Sequence, residues 1–299
     1  MAASDPSSLS AGGIDGLVRL LADDDQRIRR IALENLRAVG ERALEVVRAR
    51  ARAAGDPRVR KAARDFLLEE RRREAIERWR AAAAGTSLDL EEGAVLIARS
   101  EYPALDPGSC SATLDGYGAV LKRRLAAVRS TSAMVERMNA LLFKEIGLRP
   151  NRERPHEPEN CYLNEVLDRK LGTSISLSIV CVLIGRRIGL RLEGVGLPGR
   201  FLLRYRTGRH SSFIDPQNGG RSWSLQDCVA HLEAEGFAFR EEYLRPMDDR
   251  EVLLRLIESL LRIYHAAGDR EREDRVTRMV VALRMKGPGA AETPEGPAA

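Results

Sequence analysis

Few side chains in this 299-residue chain could do covalent chemistry, since it holds four cysteines and four histidines. Cys161 follows closely on His156, near enough in sequence for a thiol–imidazole pair. Against that stands the usual fate of an unpaired cysteine, which is burial as a small apolar group. Cys228 and His231 fall on one face of an expected helix and could supply two metal ligands. No second pair has zinc-type spacing, so no metal site is expected. Ser174 opens the most apolar stretch of the chain. A serine there caps a helix, or becomes a nucleophile if a base stands beside it. No glycine-rich phosphate loop and no dinucleotide fingerprint occurs, so no cofactor is expected. Arg71-Arg72-Arg73 is flanked by Glu69-Glu70 and Glu74 and reads as a solvated helix face.

Composition narrows the classes further. Hydrophobic residues make up 43% of the chain, enough for a sizeable core. Aromatics are only 5%, too few for stacking platforms along a single nucleic-acid strand. The net charge is +5, with most of the excess in the first 85 residues, and acids and bases are interleaved throughout. Nucleic-acid binding would favour a stripe of one sign, so none is expected. The run Leu171–Gly185 is shorter than the ~20 residues of a membrane span and leads into Arg186-Arg187. It reads as a buried helix. The N-terminus has neither a basic nor an apolar region of the signal-peptide kind. The expected address is the cytoplasm, with reduced thiols and no membrane contact.

The elements that must position these residues follow from periodicity and punctuation. Residues 1–13 and 287–299 are rich in Ser, Ala, Gly and Pro and are expected to be disordered. Within 14–85, Ile28–Leu36 aligns with Val59–Leu67, each copy following an acidic turn. Positions 28, 32, 36 and 59, 63, 67 give one apolar helix face per copy. The repeat resembles a HEAT-type helix pair, and two copies are too few to stand alone. Residues 86–149 read as a helical subdomain, with helices from a Thr86/Ser87/Asp89 cap to Ser100, then over 108–129 and 132–146, the last capped by Thr131 or Ser132. Residues 150–237 change character: a polar loop from Asn151 to Asn160, a short helix over 162–171 with Asn160 and Asn164 at its start, and an apolar helix over 174–188. Strands follow at Arg191–Val195, Arg200–Tyr205 and Ser211–Asp215, punctuated by Gly196, Pro198, Gly199 and Gly208. Helices over 224–235, over 249–266 and to about Met285 complete the chain, the last two forming a pair within 238–286. The fold class is α+β.

Two long runs carry a resemblance, Asn160–Ser178 and Leu192–Arg204, the second followed by Phe213-Ile214-Asp215-Pro216-Gln217-Asn218-Gly219-Gly220. Together with Ala98–Asp106 and Leu141–Gly147 they resemble the SirB-type transglutaminase-like family, over roughly residues 88–285. Ile263-Tyr264 and Gly268-Asp269 resemble the TPR-type helix pair that closes such proteins. The resemblance implies a papain-like transglutaminase core, a central helix packed on a small antiparallel sheet, closed by the TPR-like pair; the HEAT-like N-terminal segment, read from its repeat, lies outside it.

Active members of the wider superfamily use Cys, His and Asp. The resemblance puts the helix-opening cysteine at Ser174, the histidine at Arg200 and the aspartate at Asp215. A turn centred on Thr207-Gly208 would set Arg200 directly opposite Asp215, on one face of the sheet. His210 would pair with Tyr205, roughly 16 Å along the strand from Asp215, too far to replace the missing base. Arginine stays protonated and cannot act as a base, and a serine without a base is a poor nucleophile. Ser174, Ser178, Cys181 and Gly185 share a helix face, expected to pack on the sheet. The chain is therefore expected to be a non-catalytic interaction or regulatory module for protein partners. The alternative is a residual amidase or peptidase using Ser174 or Cys161 with Asp215.

Overall fold

The computed structural model describes residues 9–208 and 210–285. They divide into two compact units, one holding the described residues up to Ala75 with Ser100–Ala104, the other Ile76–Arg99 and the residues from Leu105 onward.

The first unit is built from α1 (Ala11–Leu20), α2 (Gln26–Val39), α3 (Glu41–Ala53) and the first part of α4 (Pro57–Ala84). Each acidic turn supplies a cap: the Asp25 carboxylate accepts from Arg27 N at 2.8 Å, and that of Asp56 from Arg58 N at 2.8 Å. Ile14, Val18, Ala32, Leu36, Val47, Ala63 and Phe66 form its core. The expected apolar faces hold at Ala32, Leu36, Val59 and Ala63, whereas Ile28 is exposed. Disorder through residue 13 is a wrong expectation. Ser10 caps α1 by accepting from Gly13 N, and Ile14 is buried behind it. The stretch up to residue 8 and the tail 287–299 lie outside the described residues.

The second unit holds the rest of the helices and the sheet. The helix expected to end at Ser100 is α5 (Leu90–Glu101), with Asp89 accepting from Glu91 N and Glu92 N. Next comes α6 (Pro107–Arg124), shorter than the expected 108–129, then α7 (Thr131–Asn139). The cap of α7 is Ser130, whose hydroxyl accepts from Ala133 N, not Thr131 or Ser132. From Ala140 to Glu145 the helix widens into a π turn. The strands β1 (Arg149–Pro150) and β2 (Leu171–Gly172) pair in parallel across α8 (Leu163–Arg169). The apolar run is α9 (Ser174–Ile188), buried continuously from Ile175 to Gly185 and stopped at Gly189, as its sequence dictates. Ser178, Cys181 and Gly185 are all buried within it.

Against α9 lies a sheet of β3 (Glu193–Leu197), β4 (Arg200–Thr207), β5 (His210–Asp215), β6 (Arg221–Trp223) and β7 (Pro246–Met247). Its order is β6-β5-β4-β3-β7 and every pairing is antiparallel. Gly196 is therefore a strand residue, not punctuation. The β4–β5 register differs from the expected one: Thr207 pairs with His210, Tyr205 with Ser212 and Leu203 with Ile214. Gly208, at φ +61°, is the first residue of the two-residue turn rather than its second. Asp215 thus lies diagonally from Arg200 rather than directly opposite. The closing elements are α10 (Leu225–Ala234), α11 (Asp249–Ala267) and α12 (Arg270–Arg284). Among the described residues no helix is long and apolar enough to cross a membrane.

Candidate functional site

The head of α9 is fixed from both sides. Thr173, not Ser174, is the N-cap: its Oγ1 accepts from Ser176 N at 3.2 Å, and Ser176 Oγ accepts from Thr173 N at 2.9 Å. Ser176 Oγ also donates to the Asn160 carbonyl at 2.6 Å. Asn160 is fully buried, takes a hydrogen bond from Asn151 Nδ2 at 3.0 Å and donates to Arg154 O at 2.8 Å. It ties the 151–160 loop to α9 and does not cap α8. Asn164 does not cap it either, since the cap position, Tyr162, makes no side-chain cap bond. With the cap supplied by Thr173, the hydroxyl of Ser174 turns to the sheet and donates to the Phe201 carbonyl at 2.9 Å.

Phe201 follows Arg200 on β4, so Ser174 and Arg200 meet at the same place. Arg200 Nη1 donates to Asp215 Oδ2 at 2.6 Å. Asp215 is 0% exposed and Arg200 23%. The carboxylate takes two further donors, Asn218 Nδ2 at 2.7 Å on Oδ2 and Gln217 N at 3.0 Å on Oδ1. The guanidinium lies over the Trp223 ring, 5.3 Å from its centroid, and Trp223 meets His231 edge-on at 5.6 Å. The three positions Ser174, Arg200 and Asp215 are thus gathered at one end of the central helix. The pairing is a charge-assisted ion pair with a satisfied carboxylate, and no imidazole takes part in it. Among the described residues no hydrogen bond links Ser174 to a side chain able to take its proton.

The other candidates lie elsewhere. His156 is exposed and Cys161 buried, with no hydrogen bond joining them. Burial pushes the Cys161 thiol up to about 12, against a hydrogen bond with Thr173 and the charge of Arg262. Burial alone does the same to Cys181, also to about 12. Cys228 packs in the core under the sheet with Val195 and Phe213, while His231 Nε2 contacts the Pro198 carbonyl at 3.2 Å. Among the described residues no three His, Cys, Asp or Glu side chains gather as a metal site would require. His210 is exposed and pairs with Thr207, not Tyr205, one step nearer the turn.

A cleft of about 310 Å³ opens at the head of α9. Its walls come from Thr173–Ile175, from the β3–β4 turn, and from Arg255, Glu258, Ser259 and Arg262 of α11. The α11 residues were missed from sequence, where that helix reads only as half of a closing pair. The available signal was Gly196: a glycine inside a strand marks a close approach. A Cβ there would stand 2.7 Å from the Arg255 guanidinium carbon.

Comparison with known proteins agrees with this architecture. A family profile described as the transglutaminase-like superfamily matches residues 109–258. A UPF0162 protein of Xylella fastidiosa is 32% identical over 198 residues, covering 64% of this chain and 69% of the relative. The UPF0162 protein PA3419 of Pseudomonas aeruginosa is 31% identical over 186 residues, covering 60% and 66%. Human F-box only protein 21 is 30% identical over 105 residues, covering 32% of this chain and 17% of that protein. No solved structure matches.

Proposed function

The chain belongs to the transglutaminase-like superfamily, and we propose that it serves there as a non-catalytic member, a protein-interaction or regulatory module rather than an acyl-transfer enzyme. The observation that carries this reading is the 2.6 Å contact between Arg200 Nη1 and Asp215 Oδ2. A guanidinium keeps its protons at any pH the fold survives, so it cannot serve as the base that a hydroxyl nucleophile needs. The Ser174 hydroxyl donates to Phe201 O, and among the described residues no side-chain base accepts from it. Cys161, the other candidate nucleophile, is buried and its thiol is held far from ionisation.

Helices supply the rest of the reading. The first unit is a HEAT-like set of helix hairpins, and α11 with α12 forms a TPR-like pair; such pairs build protein-binding surfaces. Four unpaired cysteines suit a reducing compartment, the cytoplasm. No nucleic acid, membrane, metal or small-molecule cofactor enters this reading. Assay of the purified protein against isopeptide, ester and amide substrates tests it. No release is expected; turnover that disappears in Ser174→Ala or Cys161→Ala would establish the residual amidase or peptidase instead.

A further inference from the structure

Arg255 stands apart among the guanidiniums that line the cleft. Arg200 is held by Asp215, and the carboxylate of Glu258 pairs with Arg284 at 2.7 Å. Arg262 donates to the Ser259 hydroxyl at 3.0 Å, a neutral partner. Among the described residues, no hydrogen bond or ion pair engages the Arg255 guanidinium. Burial lowers its pKa below the ordinary arginine value, and the charge of Arg262 adds to this, with Glu258 and Glu251 opposing.

The seat of Arg255 is built. Its guanidinium packs on the backbone of Gly196 in β3, where a Cβ would come within 2.7 Å of both Cζ and Nη2. Gly196 has no positive φ, so the strand itself does not require glycine there. What requires it is the space taken by Arg255 and by the Met247 methyl, 2.5 Å from the same Cβ position. A half-buried guanidinium with no carboxylate in contact keeps its donors open to the cleft, where an anion can meet them at less desolvation cost than at a fully hydrated side chain. Arg262 lies two turns along α11 from Arg255 and brings a second positive charge to the same cleft. The positive end of α9 adds to the same sign. On the same face of the sheet as Arg255 the cleft wall includes Ile175 of α9 and Phe201 of β4, both apolar, whereas the side chain of Leu197 points to the core under α10.

We infer that this cleft is a binding site for a small carboxylate with an apolar stem, its oxygens taken by the forked guanidinium of Arg255 with Arg262 beside it, and its stem laid against Ile175 and Phe201. The size fits: small-molecule pockets begin at roughly 300 Å³. Arginine is the side chain whose planar fork matches a carboxylate. The inference rests on the non-catalytic reading, because it makes the head of α9 a place of recognition.

The test is calorimetric titration of the full chain with N-acetyl-leucine, its neutral amide and inorganic phosphate, at fixed ionic strength. N-acetyl-leucine should bind and raise the melting temperature, and the amide should do neither. Arg255→Leu should weaken binding about tenfold or more. The same variant, free of ligand, should melt no lower than the parent, since it removes a charge the fold leaves unpaired. Gly196→Ala keeps the charge but displaces it, and Arg262→Gln alters an exposed side chain; both should weaken binding if Arg255→Leu does not fold. Equal binding of acid and amide, no binding of either, or binding of phosphate without the acid overturns the carboxylate assignment. Hydrolysis of the amide, followed as ammonia, would instead overturn the non-catalytic reading and leave the affinity data to stand alone.

Discussion

Arg200 reaches Asp215 along a diagonal of the β4–β5 hairpin, guanidinium to carboxylate at 2.6 Å, because the turn at Gly208 sets the two strands two residues away from direct opposition. A long side chain closes such a diagonal easily. The pair is asymmetric, with Asp215 fully enclosed and Arg200 partly open to solvent. Replacing Asp215 by alanine strips the guanidinium of its partner and also frees Gln217 N and Asn218 Nδ2. The expected cost is about 3 kcal/mol, measured by urea denaturation. A loss below about 1 kcal/mol would mean that the pair behaves as a surface ion pair.

The native thiols should be silent. All four cysteines are buried. Burial pushes Cys110 up to about 11 and Cys161, Cys181 and Cys228 up to about 12. Ellman's reagent should therefore titrate none of them at pH 8 in the folded protein and all of them in guanidinium chloride. Fast labelling of Cys161 in the native state would revive it as a nucleophile.

Rebuilding the triad types tests the placement of the site. In Ser174→Cys with Arg200→His, the new thiol sits at the head of α9 with an imidazole nearby, and both favour the thiolate. Iodoacetamide labelling against pH should place its pKa below that of a free cysteine, ~8.5. A thiol that titrates at that ordinary value would contradict the geometry at positions 174 and 200.

Acid should loosen the contact between α5, α6 and α9. Burial raises the Glu91 pKa, but hydrogen bonds from Arg187 and Ser111 and the charge of Arg187 outweigh it, leaving it below the ordinary value. Arg187 bridges Glu91 at 2.9 Å and Asp115 at 2.7 Å. A depressed folded-state pKa stabilises above the unfolded value, about 4.3, and that contribution is lost as pH falls through the folded one. Glu91→Gln should remove this part of the acid sensitivity, read as a shallower fall of melting temperature between about pH 5 and 3.

A fragment of residues 14–85 should not melt cooperatively. It lacks the Ser10 cap of α1. It also uncovers Trp79, 0% exposed in the chain, whose Nε1 donates to Met279 O at 3.2 Å. A sharp circular-dichroism transition well above room temperature would contradict this.

What was legible in the sequence follows local chemistry. The bounds of α9 could be read because Thr173 and Gly189 are strong local stops around an apolar run. The gathering of Ser174, Arg200 and Asp215 was legible through the family resemblance. The β4–β5 register was misread because one glycine in a two-residue turn can occupy either position, and each choice shifts the pairing. β6 and β7, of three and two residues, carry too little alternation to stand out. Arg255 was hidden because its meaning comes from Gly196, far away in sequence, and only tertiary packing brings the two together.

The central claim is that position 174 carries no activated nucleophile. Intact-mass spectrometry of the native protein after exposure to an activated acyl ester, followed by peptide mapping, tests it most directly. No acyl adduct on Ser174 beyond that of an unfolded control is expected. A stoichiometric adduct mapped to Ser174, formed only in the folded protein and absent from Ser174→Ala, would contradict it.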